Sequence, residues 1–245
     1  MNGNLEKFWD ERHAAALMPC EGSKSSERSV SAKSAPPLSS SWVLEHENFL
    51  ANLPIMSDVL DLGAGQGKVS EIFYELGHDV TAVDISDVPL ATIRGRLPYV
   101  KTLKHDMRNP LPFMNDDFDV VVANLSLHYF ARAKTHEIIT EIKRVLKSGG
   151  YLIGCVLPEG EYENSVKNGF KYEKLDENFY LEDGKKPIRF FSDADFEEFF
   201  IKSGTGGKFE KVSVEGGRIK GSAGGIKTME FILRLSPENA HACVV

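Results

Sequence analysis

Asp61-Leu62-Gly63-Ala64-Gly65-Gln66-Gly67 is the stretch of this sequence best suited to chemistry. Glycines at alternate positions let a backbone turn tightly and approach a ligand closely. A helix beginning just after them would add unpaired N–H donors. The G-x-G-x-G spacing, with Lys68 next, departs from the G-x-G-x-x-G of dinucleotide sites, and no Gly-Lys-Ser/Thr follows as a phosphate loop requires. Asp61, two residues before the first glycine, would repel a pyrophosphate and could hold a cationic group. Asp84, 17 residues beyond Gly67, can accept hydrogen bonds from both hydroxyls of a ribose. Asp106 can accept from an adenine amino group. A nucleotide-like ligand carrying positive charge is the guest these residues describe.

Such residues work together only if strands carry them to one edge. Val59–Leu62, Asp79–Ile85, Val100–Asp106, Phe118–Leu127 and Tyr151–Leu157 read as five strands, each ending near a candidate residue. Val69, Ile72, Phe73 and Leu76 mark one helical face, and Ile138, Ile139, Ile142 and Val145 another. Ser86 is a suitable N-cap, with Pro89 in the first turn after it. Strand–helix alternation of this kind implies a parallel sheet with helices on both faces and right-handed crossovers. The tip of the fourth strand, Asn124-Leu125, is expected beside the first strand, where such sheets bind ligands. Pro158–Pro187 breaks the rhythm and reads as an irregular lid or a disordered segment. Its aromatics, Tyr162, Phe170, Tyr172, Phe179 and Tyr180, suggest an apolar or planar small substrate. Ser192 and Asp195 read as a capping box before Phe196, Phe199 and Phe200. A terminal hairpin covers Phe209–Ile219 and Lys227–Leu235.

The 245 residues, 42% hydrophobic and 27% charged, fit one globular domain and exclude collagen-like and wholly disordered readings. The net charge of −7 lacks the electrostatic footprint of a nucleic-acid binder. Cys20, Cys155 and Cys243 are too scattered for a metal cluster or a disulfide framework, which fits a reducing, cytoplasmic compartment. Met1–Glu11 does not read as a secretory leader. No apolar run approaches the ~20 residues that span a bilayer. Cys243 is third from the end, one position off a prenylation box.

The segment Asp58–Leu157 resembles the class I S-adenosylmethionine-dependent methyltransferases. The matching residues are Asp61–Gly67, Val83-Asp84, His105-Asp106, Asp119–His128 and Leu146–Gly150, in order and at family spacing. The resemblance implies a Rossmann-like, doubly wound α/β sheet of seven strands, mostly parallel with an antiparallel last strand. It implies S-adenosyl-L-methionine as cofactor and transfer of its methyl group to a small-molecule acceptor by in-line displacement. Asp61, Gly63, Ala64, Gly65 and Gly67 would then meet the methionine part, and Asp84 with Ile85 the ribose. Asp106 and Met107 would meet the adenine, while Asn124 and Leu125 line the cofactor. Phe8–His13 is similar to the N-terminal cover of small-molecule methyltransferases, which adds Trp9 to the cofactor set. His13 and Tyr129 become candidate substrate contacts, and His128 a candidate catalytic base; no metal is implied. The expected layout is a single domain over 1–245. It comprises a lid helix (1–19), a Ser-rich connector (20–41), a cofactor-binding core (42–157), a substrate-lid insertion (158–190), and a C-terminal helix and hairpin (191–245). The protein would act as a monomer or homodimer away from membranes. RNA or protein methylation, and a non-catalytic binding role on the same fold, are the alternatives.

Overall fold

The computed structural model describes residues 4–17, 41–202, 207–219 and 225–236. The connector expected at 20–41 lies outside these residues except for Ser41, as do Cys20 and Cys243. The chain opens with α1 (Asn4–Leu17), then a 3₁₀ turn over Ser41–His46 leads into α2 (Glu47–Ala51). Alternation then begins: β1 (Asp58–Leu62), α3 (Lys68–Glu75), β2 (Asp79–Asp84), α4 (Asp87–Arg96), β3 (Lys101–Lys104), β4 (Phe118–Asn124), α5 (Arg132–Val145) and β5 (Leu146–Val156). The insertion supplies α6 (Gly160–Lys167), β6 (Tyr172–Asp176), β7 (Phe179–Glu182) and β8 (Lys186–Arg189). A short α7 (Asp193–Phe196) continues as one π-helical turn over Glu197–Lys202. The chain then closes with β9 (Lys208–Ile219) and β10 (Ile226–Ser236).

Seven strands form one sheet in the order β3-β2-β1-β4-β5-β10-β9. β1 pairs in parallel with β2 on one side and β4 on the other, so the winding direction reverses between β1 and β4. β10 enters antiparallel between β5 and β9. The mostly parallel, seven-stranded Rossmann-like sheet expected from sequence is therefore the fold. Each strand's alternation divides its side chains between two cores. Val59, Val80, Val120 and Val122 meet Phe73 of α3 and Leu90 and Ile93 of α4. Leu60, Leu62, Val83 and Val121 meet Ile138, Ile139 and Ile142 of α5 and the phenylalanines after Ser192. Among the described residues, no helix is long and apolar enough to cross a membrane.

Two sequence expectations are corrected. β5 starts at Leu146, not at the expected Tyr151, and runs through Gly149-Gly150. Gly149, at φ +82°, coincides with the jump in register from Phe118↔Leu146 to Val120↔Tyr151, so the pair acts as a bulge inside the strand. The insertion is regular: β6, β7 and β8 form an antiparallel meander. Most of its aromatics pack on one another. Tyr162 stacks on Tyr180 at 4.7 Å between ring centres, and Tyr172 and Phe190 complete a small core beneath the meander. Buried Glu161 accepts a hydrogen bond from the Lys227 amide at 2.8 Å, tying α6 to the first turn of β10.

The antiparallel entry of β10 depends on one close approach. Gly154 on β5 faces Phe231 on β10, and a Cβ at Gly154 would lie 2.1 Å from the ring's Cζ. The ring cannot retreat, since Phe231 is fully buried against Phe196 and Phe200 at 5.3 and 4.8 Å. Gly154→Ala should therefore destabilise the fold by about 1–3 kcal/mol, read as a lower denaturant midpoint. An unchanged midpoint would show that this packing tolerates the extra methyl.

Candidate functional site

Leu62 ends β1, and the glycine loop turns off it against the end of β2. The Gly63 and Ala64 amides both donate to the Val83 carbonyl, at 2.8 and 2.9 Å. Gly63 has φ +80°, and a Cβ there would stand 2.5 Å from Ser126 Cβ and 3.2 Å from Met107 Cε. Only glycine lets this turn pass the tip of β4, where the Ser126 hydroxyl donates to the Leu62 carbonyl at 2.7 Å. Arg96 of α4 holds the far side of the loop through the Gln66 carbonyl at 2.9 Å.

Asp84 ends β2 beneath this loop, 6% exposed. Its two oxygens accept from the Gly65 amide and the Ser86 amide, each at 2.9 Å. Burial raises its pKa, and these bonds with the nearby His13 counter part of that rise. Asp61 is buried on β1 and accepts from the Ser70 hydroxyl of α3 at 2.6 Å. Burial pushes its pKa up to about 6; Ser70 lowers it, and the Asp84 charge raises it further. Two carboxylates thus stand nearly out of water at the ends of adjacent strands. Leu125 adopts φ +53° just past β4, a left-handed conformation costly for a branched side chain. Its amide is fixed to the Cys155 carbonyl at 2.8 Å. The Asn124 side chain accepts from the indole N–H of buried Trp42 at 3.0 Å.

Asp106 differs from its expected state. Arg108 engages both carboxylate oxygens, at 2.5 to 3.0 Å. Burial alone would raise this acid's pKa, but the Arg108 bonds and charge outweigh it and hold it low. Asp106 meets any ligand as half of an ion pair. Met107 reaches the glycine loop with its side chain.

The N-terminal helix α1 crosses α4 above this edge. Asp10 accepts from the Ser86 hydroxyl at 2.5 Å, and Glu6 pairs with Lys104 at 2.8 Å. The docking brings Trp9 edge-on to Tyr129, 4.9 Å between ring centres, with His13 at 5.7 Å from Trp9. His13 lies beside Gln66 of the glycine loop, with Nε2 of Gln66 3.5 Å from its Nδ1. Burial lowers the His13 pKa despite the nearby Asp84 charge, so the ring is neutral at pH 7. His128 is also buried and neutral. Burial depresses its pKa strongly, the Lys186 and Arg12 charges add to this, and its Nδ1 has no hydrogen-bond partner. Burial raises the pKa of Tyr129.

The structure therefore gathers Trp9, His13, Asp61, Gly63, Gly65, Asp84, Met107, Leu125, His128 and Tyr129 around one edge of the sheet. Sequence reasoning missed Ser70, Ser126, Lys186 and Glu182. Ser70 and Ser126 carry no signal of their own. Asp183-Gly184 is a hairpin signature that could have placed Glu182 and Lys186 on paired strands.

Residues 60–154 match the family described as methyltransferase domain. An uncharacterized methyltransferase of Synechocystis sp. is 34% identical over 110 residues, covering 43% of this chain and 50% of that protein. The chain spans half or less of the length of the curated relatives it matches. A SAM-dependent methyltransferase from Methanosarcina mazei is similar in fold, with TM-score 0.65 at 18% identity, covering 78% of this chain and 98% of that one. So is the Burkholderia thailandensis 1,6-didemethyltoxoflavin-N1-methyltransferase, whose structure holds 1,6-didemethyltoxoflavin and S-adenosylhomocysteine. Its TM-score is 0.59 at 20% identity, covering 80% and 76%. Residues 60–154 thus resemble a methyltransferase domain, and the sheet that carries them has the Rossmann-like fold of solved S-adenosylmethionine-dependent methyltransferases. The site's chemistry suits that cofactor: a glycine turn with no room for a Cβ, a buried acid matched to a diol, and a second acid matched to an ammonium group.

Asp61 is the group in this site that works against folding. Its carboxyl has an ordinary pKa near 3.8 when exposed and about 6 when folded, so the folded state holds the extra proton between those values. Stability then falls as pH rises through that window, and the penalty is complete above about pH 6. Asp61→Asn should stabilise the ligand-free protein by about 2–3 kcal/mol at pH 7.5, with the gain vanishing near pH 4. Denaturant titrations at both pH values check this; an Asn variant no more stable at pH 7.5 would refute the strain.

Proposed function

We propose that this protein transfers a methyl group from S-adenosylmethionine to a small-molecule acceptor bound between α1, the tip of β4 and the meander. The reading rests on the buried acids Asp61 and Asp84 flanking the glycine turn at the reversal between β1 and β4. That is where open α/β sheets take their ligands. Asp84 would hold the ribose hydroxyls and Asp61 the ammonium of the methionine part. The Gly63–Gly67 backbone gives close approach, Met107 lies beside it, and Asp106 would receive the adenine amino group alongside Arg108. S-adenosylmethionine, when bound, supplies an electrophilic sulfonium methyl.

What this chain's residues contribute is position and exclusion of water. Displacement at a methyl needs the nucleophile in line, and holding it there in a dry pocket can supply most of the rate. Leu125 and Asn124 are pinned by Cys155 and Trp42, so the wall beside the reacting atoms is rigid. His128 is neutral, which suits it to orient an acceptor through a hydrogen bond. A base with so depressed a pKa removes protons poorly. Tyr129 and His13 close the acceptor side, and α1 with Trp9 acts as the lid.

Charge-assisted hydrogen bonds of the Asp84 kind contribute about 1.5–3 kcal/mol each. Asp84→Ala should weaken S-adenosylmethionine binding at least tenfold in calorimetry, with no loss of melting temperature. Tight nicotinamide dinucleotide binding with none for S-adenosylmethionine would overturn the cofactor assignment.

The lid makes a separate demand. Its ties to the core, Asp10–Ser86 and Glu6–Lys104, are polar and partly exposed, and such contacts add little stability. Deleting residues 1–17 should leave the ligand-free melting temperature nearly unchanged while S-adenosylhomocysteine dissociates about tenfold faster. A truncated protein that melts early would make the helix core rather than lid.

A further inference from the structure

Charges collect on the acceptor side of the pocket in a way cofactor binding does not need. Lys186 on β8 and Glu182 on β7 pair at 2.5 Å, both largely buried. The other Glu182 oxygen accepts from the Tyr172 hydroxyl at 2.8 Å, so this carboxylate is fully engaged. Arg12 projects from the lid helix with its guanidinium over the Trp9 ring, 5.6 Å from the centre. Among the described residues it makes no ion pair.

The acids near Arg12 keep their charge but hydrogen-bond other groups. Asp10 accepts from Ser86, and both oxygens of Asp84 accept backbone amides. Asp183, which also acts on Lys186, is exposed and accepts from the Lys171 amide. The charge of Arg12 also acts on His128, Tyr129 and Lys186. Lys186 is matched by Glu182, while the guanidinium of Arg12 is left to pair with an incoming anion. Around this charge the walls are flat: His128 lies 4.1 Å from Tyr129 between ring centres, and Tyr129 lies 4.9 Å from Trp9. The buried Nδ1 of His128 adds one polar group without a partner.

We propose that the methyl acceptor is a small planar acid whose carboxylate is bound by Arg12, with Lys186 reinforcing the positive field and the Trp9, Tyr129 and His128 rings setting its plane. The assignment rests on the acceptor pocket described under the proposed function. Arg12 is then the specificity residue, and because it rides on α1 the acid helps draw the lid shut. A guanidinium suits this task, since its planar fork matches a carboxylate in two hydrogen bonds.

The test is calorimetric titration of protein saturated with S-adenosylhomocysteine, using 3,4-dihydroxybenzoate and benzoate against their uncharged amides. The acids should bind at least tenfold tighter than the amides. Arg12→Gln should reduce that preference to less than threefold, and Arg12→Lys, which keeps the charge, should retain most of it. Equal binding of acid and amide overturns the proposal. So does an undiminished preference in Arg12→Gln, or binding of neither probe by protein that holds S-adenosylhomocysteine. Failure to bind S-adenosylhomocysteine at all would instead overturn the methyl-transfer reading on which this one stands.

Discussion

Asp61 and Asp84 stand out of water at the ends of neighbouring parallel strands, each with donors supplied by the elements around it. Much of the surrounding structure follows from keeping both carboxylates there. Parallel pairing of β1 with β2 brings Asp61 beside Ala82 in register, two residues from Asp84. Gly63 and Gly65 must turn tightly enough for the Gly65 amide to reach back to Asp84, which leaves no space for a Cβ at Gly63. The Ser70 hydroxyl on α3 reaches Asp61 and the Ser86 amide before α4 reaches Asp84, both placed by the same turns that end the strands. A carboxylate so placed disfavours the empty protein and favours a ligand that brings a positive charge or hydroxyl donors.

That frame was legible in sequence because it is local. The first three strands each end within a few residues of an acid, and hydrophobic spacing of period 3.6 marks α3 and α5 without ambiguity. The antiparallel β10 was legible as half of a hairpin, and the family resemblance supplied its place in the sheet. What was not legible depends on partners distant in the chain or on one-sided burial. β6 exposes most of its residues, so it lacks the apolar alternation that identifies a half-buried strand. The insertion's aromatics satisfy each other and Phe190, a use that spacing does not distinguish from a binding surface. The sequence shows Asp106 as an acceptor but not that Arg108, two residues on, folds back onto it. Both orientations of that arginine are compatible with the same sequence.

The acceptor side joins parts of the chain that are far apart: α1 at the start, the β4 tip in the middle, and the meander near residue 186. These three differ in how firmly they are held. The β4 tip is locked by backbone bonds to β5 and by Ser126 on Leu62. The meander packs on a ring cluster of its own and is tied to β10 through Glu161. Among the described residues, helix α1 is held by the polar contacts Asp10–Ser86, Glu6–Lys104 and His13–Gln66 and by a half-buried aromatic edge. Rigid walls with one loosely tied cover are what in-line transfer requires, because a substrate must enter and water must then be excluded. Under the proposed function, a cover bearing Arg12 would change its hold on the core when a negative group arrives, and closure would be coupled to the charge of the guest.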